Sequence, residues 1–389
     1  MKIGFDVSQT AEDMAGCGFF SKQMISHILE QDKKNEYVLY PVFYGYRHPN
    51  YRHAYSSNDK NVKSLFLQLS WSQVNKLWDS ARDKMELLDY PDIVHSNNFS
   101  FPLELNCKRI MTIYDMGYMD CPEFTTEENR IVCSNGAFEA SIYADHIVTI
   151  SEFSKKSFLK FFPHYPEDRV SVVYLGNRPT LNKVEDELII KKVKNKFNLG
   201  ESSFWLGVGT IEPRKNYSFL LEAYSEMVKN HNETRPLYIA GGKGWLENDI
   251  QEKIKKLGIA DKTKFLGYVT DDELSVLYTN CHSFIYPSLY EGFGLPVLEA
   301  MSCGAPVITS NNSSLPEVVG DSGITIDPNK VNSLVEAMLK INNEQYRAEL
   351  IRKSLARSEK FSWKFASQQM LDIYEKVMTS DKWHKGARS

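Results

Sequence analysis

The chain has 389 residues, 42% hydrophobic and 25% charged, an ordinary composition for a folded protein long enough for two domains. Its formal net charge of −4 excludes the strongly basic balance that a nucleic-acid partner calls for. The six cysteines (Cys17, Cys107, Cys121, Cys133, Cys281 and Cys303) form no C-x-x-C pair, which speaks against a zinc site or a disulfide framework and for buried reduced thiols.

The first apolar run, "KIGFDV" (2–7), is too short for a signal-peptide core and reads as a buried strand. No stretch reaches the length of a membrane span, so the expected location is cytoplasmic. The loop that follows, "VSQTAEDMAGCGFFSK" (7–22), places Gly16 and Gly18 ahead of a helix over 18–31. Such a loop either brings backbone N–H groups to a phosphate or simply turns the chain into the helix. It is not a dinucleotide fingerprint: Ser21 stands where the third glycine belongs, and the gap after the strand is long. "YVLYPVF" (37–43) is the next strand, and "YPVFYGYRHPNYRHAY" (40–55) mixes aromatic and basic residues. That mixture reads first as a surface loop and second as a peripheral membrane contact.

Strands follow at "DIVHS" (92–96), "RIMTIY" (109–114), "HIVTI" (146–150) and "VSVVY" (170–174), with a helix over 151–162 opened by Ser151. A charged stretch, "NKVEDELIIKKVKNKFNLGESS" (182–203), separates this half from a second one. There the strands are 204–209, 236–242, 263–269, 283–288, 305–310 and 323–327, interleaved with helices 216–229, 247–257 and 271–280. Helices near 329–342, 345–358 and 362–379 end the chain. Alternation of this kind predicts an α/β fold of two doubly wound, Rossmann-like domains facing a central cleft. The expected boundaries are 1–180, joined by a C-terminal helix of about 370–389, and 181–369.

Two segments of the second half carry chemistry. "GVGTIEPRKN" (207–216) puts Arg214 and Lys215 at a helix start behind Pro213, where the helix dipole prefers anions. A bound polyanion sharing the site would settle that conflict; a solvated charged turn is the alternative. "YEGFGLPVLEA" (290–300) brackets a helix start with Glu291 and Glu299, with Gly292 and Gly294 permitting unusual backbone angles and Pro296 suiting the first turn. A free helix N-terminus binds phosphate, whereas carboxylates accept hydrogen bonds from hydroxyls. Together they describe a nucleotide-diphosphate sugar. The alternative, Glu299 as a surface partner of the helix dipole, leaves Glu291 unexplained.

These segments, with "FLGYVTDDEL" (265–274), "YPSLYEGFGLPVLEAMSCGAPVITSNNSSLPEV" (286–318) and "ADHIVTISEFSK" (144–155), resemble the retaining glycosyltransferases of the fourth sequence family, which have the GT-B fold. The resemblance spans nearly the whole chain. It implies that Glu291 contacts the hydroxyls of the transferred sugar, that Glu299 binds the ribose, and that Arg214 and Lys215 neutralise the diphosphate. It places Phe293, Gly294 and Leu295 around the donor phosphate and sugar, Gly209 and Thr210 in the donor site, and Val269 where the main chain reads the base. Gly16 and Gly18 match the family's N-terminal glycine loop, and the last helix crosses back onto the N-terminal domain. Where relatives often carry His-Asp, this chain has Tyr114-Asp115, and a tyrosine does not titrate near neutral pH.

The layout is most similar to bacterial surface-polysaccharide mannosyltransferases. The expected activity is transfer of a hexose, with GDP-mannose the first donor and UDP- or dTDP-sugars the alternatives, to a glycan or lipid-linked acceptor. An epimerase or a non-catalytic sugar-nucleotide module on the same fold is the rival reading. The Glu–seven residues–Glu element (Glu291 and Glu299) argues against the epimerase, and Glu291, Arg214 and Lys215 argue against the non-catalytic module. No Asp-x-Asp motif occurs, so no metal and no cofactor are expected.

Overall fold

The computed structural model describes residues 1–11, 16–44, 48–242 and 247–381. The chain forms two units, Met1–Gly176 with the chain from Ser362 onward, and Asn177–Phe361. The entire helix Trp363–Thr379, not only its end from about 370, belongs to the first unit. Its start lies against Gly176, where an added Cβ would come within 2.4 Å of the Trp363 nitrogen. It runs along the helix Gly16–Gln31, whose Gln31 side chain donates to the Lys364 carbonyl. The expected residues 382–389 lie outside the described residues, as do 12–15 of the first glycine loop and 45–47 of the aromatic-basic segment.

The first unit is built on seven parallel strands: β1 (Lys2–Asp6), β2 (Glu36–Tyr40), β3 (Val62–Ser64), β4 (Ile93–Ser96), β5 (Lys108–Ile113), β6 (His146–Thr149) and β7 (Val170–Val172). Their order is β3-β2-β1-β4-β5-β6-β7. Helices cover both faces of such a sheet, so β4, β5 and β6 are buried at every position, apolar at their centres with buried polar residues such as His95, Thr112 and His146 among them. Ser151 caps the helix Glu152–Phe161, accepting the Ser154 N–H at 3.0 Å.

Two histidines sit inside this sheet. His95 of β4 is hydrogen-bonded to Tyr374 of the last helix at 2.8 Å and to Thr112 of β5 at 2.9 Å. His146 of β6 is bonded to Ser171 at 2.9 Å. Burial pushes both down to about 3. The folded state therefore keeps them neutral while the unfolded chain takes up protons below its own value of about 6.5. Their contribution is complete above that pH and is lost as pH falls toward 3, by about 2 kcal/mol each at about pH 5. Asp6, raised to about 6 by burial, works in the opposite sense, so the comparison needs a variant. Urea unfolding of His95→Asn is expected to fall less steeply between about pH 7 and pH 5 than that of the parent. Equal slopes would count against a neutral buried His95.

The second unit has six parallel strands: β8 (Trp205–Val208), β9 (Leu237–Ala240), β10 (Thr263–Gly267), β11 (Ser283–Tyr286), β12 (Val307–Ser310) and β13 (Gly323–Ile326). Their order is β10-β9-β8-β11-β12-β13. The chain leaves β8 toward β9 on one side and returns to place β11 on the other. The switch point lies between β8 and β11, and ligands of such sheets bind at the carboxyl ends of those strands. The separating stretch 182–203 contains a helix, Glu187–Lys196, that its composition hides. Only Val193 of that helix is buried, and Asp186 caps it through the Leu188 and Ile189 N–H groups.

Candidate functional site

Both strands at the switch point of the second unit end in loops that only certain residues can form. After β8 the chain passes Gly209 at φ +140°, close against Gly241 at φ +149° from the end of β9. A Cβ on Gly241 would lie 2.2 Å from the Gly209 oxygen, so the β9 loop has no room for a side chain there, while Gly209 is set by a φ that L side chains rarely adopt. A short turn, Pro213–Lys215, follows. Asn216 then adopts a left-handed conformation, φ 57°, and enters the helix Tyr217–Asn230. Its side chain donates to the Pro328 carbonyl at 3.0 Å, and Tyr217 donates to the Gly209 carbonyl at 3.0 Å.

After β11, Ser288 and Glu291 meet that turn. The Leu289 N–H donates to the Arg214 carbonyl at 2.8 Å, and the Ser288 hydroxyl oxygen lies 3.0 Å from the same oxygen. Glu291 is 7% exposed and collects four donors. Its Oε1 accepts from Lys215 Nζ, the Tyr286 hydroxyl and the Ser288 hydroxyl, each at 2.7 Å. Its Oε2 accepts from Arg214 at 2.6 Å. The Arg214 guanidinium also donates to the Tyr290 carbonyl at 3.0 Å and to Glu212 at 2.8 Å.

Burial alone would raise the Glu291 carboxyl, but Lys215 and Arg214, with the Lys215 and Ser288 hydrogen bonds, outweigh it and hold the group at about 2. Burial pulls Lys215 below its ordinary value, and Glu291 opposes that shift. Glu291 and Glu212 thus pair with Arg214 and Lys215 within the protein, partners that neither the bound polyanion nor the solvated turn of the sequence reading named.

Glu299 belongs to a different cluster. It is 2% exposed, so it is no surface partner of the helix dipole. Its carboxylate is 3.0 Å from Arg178, and Arg178 donates to Asp271 at 2.8 Å. Thr180 donates to the other Asp271 oxygen. Burial raises the Glu299 carboxyl although Arg178 pulls against it.

Gly294, φ 98°, opens the helix Leu295–Ser302 with no side-chain cap, and Pro296 lies in its first turn. Phe293 is buried edge-on against Phe361, with ring centroids 5.8 Å apart. Val269 is half-buried immediately before Thr270, which caps the helix Asp271–Asn280, and Thr210 is exposed. In the first unit Gly16 opens its helix instead of preceding it, and Gly18 is buried in the first turn. Tyr114 is 6% exposed; it packs edge-on to Phe20 at 5.5 Å and donates to the Cys17 carbonyl at 3.4 Å. Burial drives its phenol far above the usual range, so the hydroxyl stays protonated. Asp115 accepts the Gly117 N–H at 2.8 Å in a turn. In the aromatic-basic segment Tyr51 is buried and Arg52 stacks over it at 5.8 Å.

Sequence reasoning passed over Glu212, Tyr286, Ser288 and Arg178. Three of them sit within quoted motifs, two to five residues from a chosen residue, and their signal was a polar side chain near a cation or a carboxylate. Arg178 lies in the connecting segment, which had no motif to mark it. Among the described residues no group of three or more His, Cys, Asp or Glu is placed to hold a metal ion, and no helix is long and apolar enough to cross a membrane.

Comparison with known proteins places this geometry. The family described as group 1 glycosyl transferases matches residues 189–357. The O-antigen chain mannosyltransferase B of Escherichia coli is 32% identical over 387 residues, covering 96% of this chain and 100% of that protein. Sucrose-phosphate synthase from Thermosynechococcus elongatus superposes with a TM-score of 0.73 at 17% identity, over 98% of this chain and 100% of that one. Anabaena HepE, solved with UDP and glucose, gives 0.71 at 18% identity, over 97% and 100%. At these identities the two structures establish the GT-B fold alone.

Proposed function

The chain is a member of the group 1 glycosyl transferases, and from that premise we propose that it transfers mannose, with retention of configuration, from GDP-mannose to a hydroxyl of a glycan or lipid-linked acceptor of a cell-surface polysaccharide. The observation that carries the reading is the cluster of Arg214, Lys215 and Glu291 at the β8/β11 switch point.

In this reading the two cations take the diphosphate, with the N–H groups of the first turn after Gly294 beside them. Arg214 exchanges its more exposed partner, Glu212, for phosphate oxygen. Glu291 holds both cations in place. A role toward the sugar hydroxyls would require it to give up one of its four donors. Glu299 serves the ribose next to Arg178, Gly209 and Thr210 border the donor, and the main chain at Val269 meets the base. The acceptor hydroxyl attacks from the face that the diphosphate leaves and passes its proton to the departing oxygen. A double displacement needs a free carboxylate nucleophile, and Glu291 has both oxygens engaged. A lipid-linked acceptor would bring the protein to the membrane surface.

Release of nucleoside diphosphate from a panel of GDP-, UDP- and dTDP-sugars, with and without acceptor, tests the donor. GDP-mannose is expected to be turned over fastest, and a UDP-sugar in that place would overturn the choice. Turnover in excess EDTA is expected to equal turnover in magnesium. Loss on chelation, restored by magnesium or manganese, would show that the cations are not sufficient for the leaving group.

A further inference from the structure

The segment "SNNSSLPEV" (310–318) has no part in the mechanism above, yet it departs twice from what its residues do locally. Ser313 adopts a left-handed backbone, φ 51°, a conformation that costs a non-glycine residue about 1–2 kcal/mol. Ser314 stands at the N-cap of the helix Leu315–Val319 but does not cap it. A serine there ordinarily accepts an N–H of the first turn. Its hydroxyl, fully buried, donates instead to the Glu291 carbonyl at 2.9 Å. The strained Ser313 accepts the Glu291 N–H at 3.2 Å. Asn312 completes the grip by donating to the Leu289 carbonyl at 2.9 Å. Leu315 lies where a side chain on Gly294 would go, with its Cδ2 2.7 Å from that Cβ position.

Consecutive residues of one loop thus hold the peptide units of Leu289 and Glu291 and close over Gly294. Both residues that carry a local cost, the left-handed serine and the serine diverted from its cap, direct their hydroxyls to the Glu291 peptide. Backbone strain that persists in this way marks a position the surrounding structure needs. We propose that Asn312, Ser313 and Ser314 are positioning residues of the transfer reaction, a latch that sets the Glu291 carboxylate against Lys215 and Arg214. This rests on the reading of Glu291 given above. An error of about 1 Å in the placement of such a group lowers turnover by about 100-fold without touching the groups that bind substrate.

Ser313→Gly makes the test sharp. Glycine accepts the left-handed backbone without strain, so the variant is expected to be as stable as the parent or more so, while it loses the hydroxyl that holds the Glu291 N–H. With GDP-mannose as donor and methyl α-mannoside as acceptor, Ser313→Gly and Ser314→Ala are each expected to lower kcat by about 10- to 100-fold. The KM for donor and the calorimetric Kd for GDP should stay unchanged, as for an interaction realised in the transition state. A purely structural role predicts the reverse, with turnover following thermal stability. Glu291→Ala is measured alongside. If it has lost turnover while Ser313→Gly keeps the parent rate, the latch is overturned and the reading of Glu291 stands. If Glu291→Ala itself keeps the parent rate, it is the reading of Glu291 that falls.

Discussion

Lys215→Ala and Arg214→Ala are each expected to lower turnover by about 100- to 1000-fold, the loss that accompanies removal of one preorganised charge contact worth about 3–4 kcal/mol in a transition state. As the glycosidic bond breaks, the departing nucleoside diphosphate gains negative charge. The described residues of the second unit offer it Lys215 and Arg214 on the β8 loop and the uncapped helix start after Gly294. Lys215 is the more buried, its side chain 11% exposed against 28% for Arg214, so its charge is the less screened by water. Arg214→Lys is not expected to rescue Arg214. The guanidinium reaches the Tyr290 carbonyl, Glu291 and Glu212 at once, and an ammonium is a point charge without that fork. Steady-state kinetics on the donor found by the panel check this, and near-parent turnover for Lys215→Ala would remove it as a leaving-group stabiliser.

Glu291→Gln has the second large effect, on turnover and stability together. The amide nearly preserves shape but deletes the charge that faces Lys215 and Arg214, leaving two buried or half-buried cations side by side. Breaking a buried pair by removing one partner costs about 3–5 kcal/mol. Burial already lowers Lys215, and without Glu291 it falls further, which weakens its hold on the charge that the leaving group faces. The pH dependence has a definite sign. The folded carboxyl, at about 2, lies below its unfolded value, so its contribution is complete above about pH 4.5 and is lost as pH falls toward 2. That contribution is about 3 kcal/mol. Denaturant titrations should show the parent losing this term between those pH values and Glu291→Gln lacking it. Parallel profiles would mean that Glu291 is not held ionised by its neighbours.

The fold was legible in the sequence wherever burial is two-sided. Runs such as "HIVTI" and "RIMTIY" have no polar face to confuse them, and β6 and β5 fall within one residue of the expected limits. The helix Glu187–Lys196 was not legible because it buries a single valine and half of its residues are charged, the pattern of a linker. The cations and the first glutamate were legible as a site because each breaks a local preference: Arg214 and Lys215 oppose a helix dipole, and Glu291 precedes two glycines. Their mutual pairing was not. Glu291 lies 76 residues beyond Lys215, and only the adjacency of β8 and β11 brings the two together. Arg178 was hidden for the same reason, since its partners Asp271 and Glu299 come from two later helices.

The stereochemistry of the product tests the central claim most directly. Same-face attack guided by Arg214 and Lys215, with no carboxylate nucleophile, predicts that mannose from GDP-α-mannose arrives α-linked. Proton NMR of the isolated product, read at the new anomeric centre, should show the α configuration. A β-linked product would contradict the account, because it requires attack from the opposite face and a base that the Glu291 cluster does not supply.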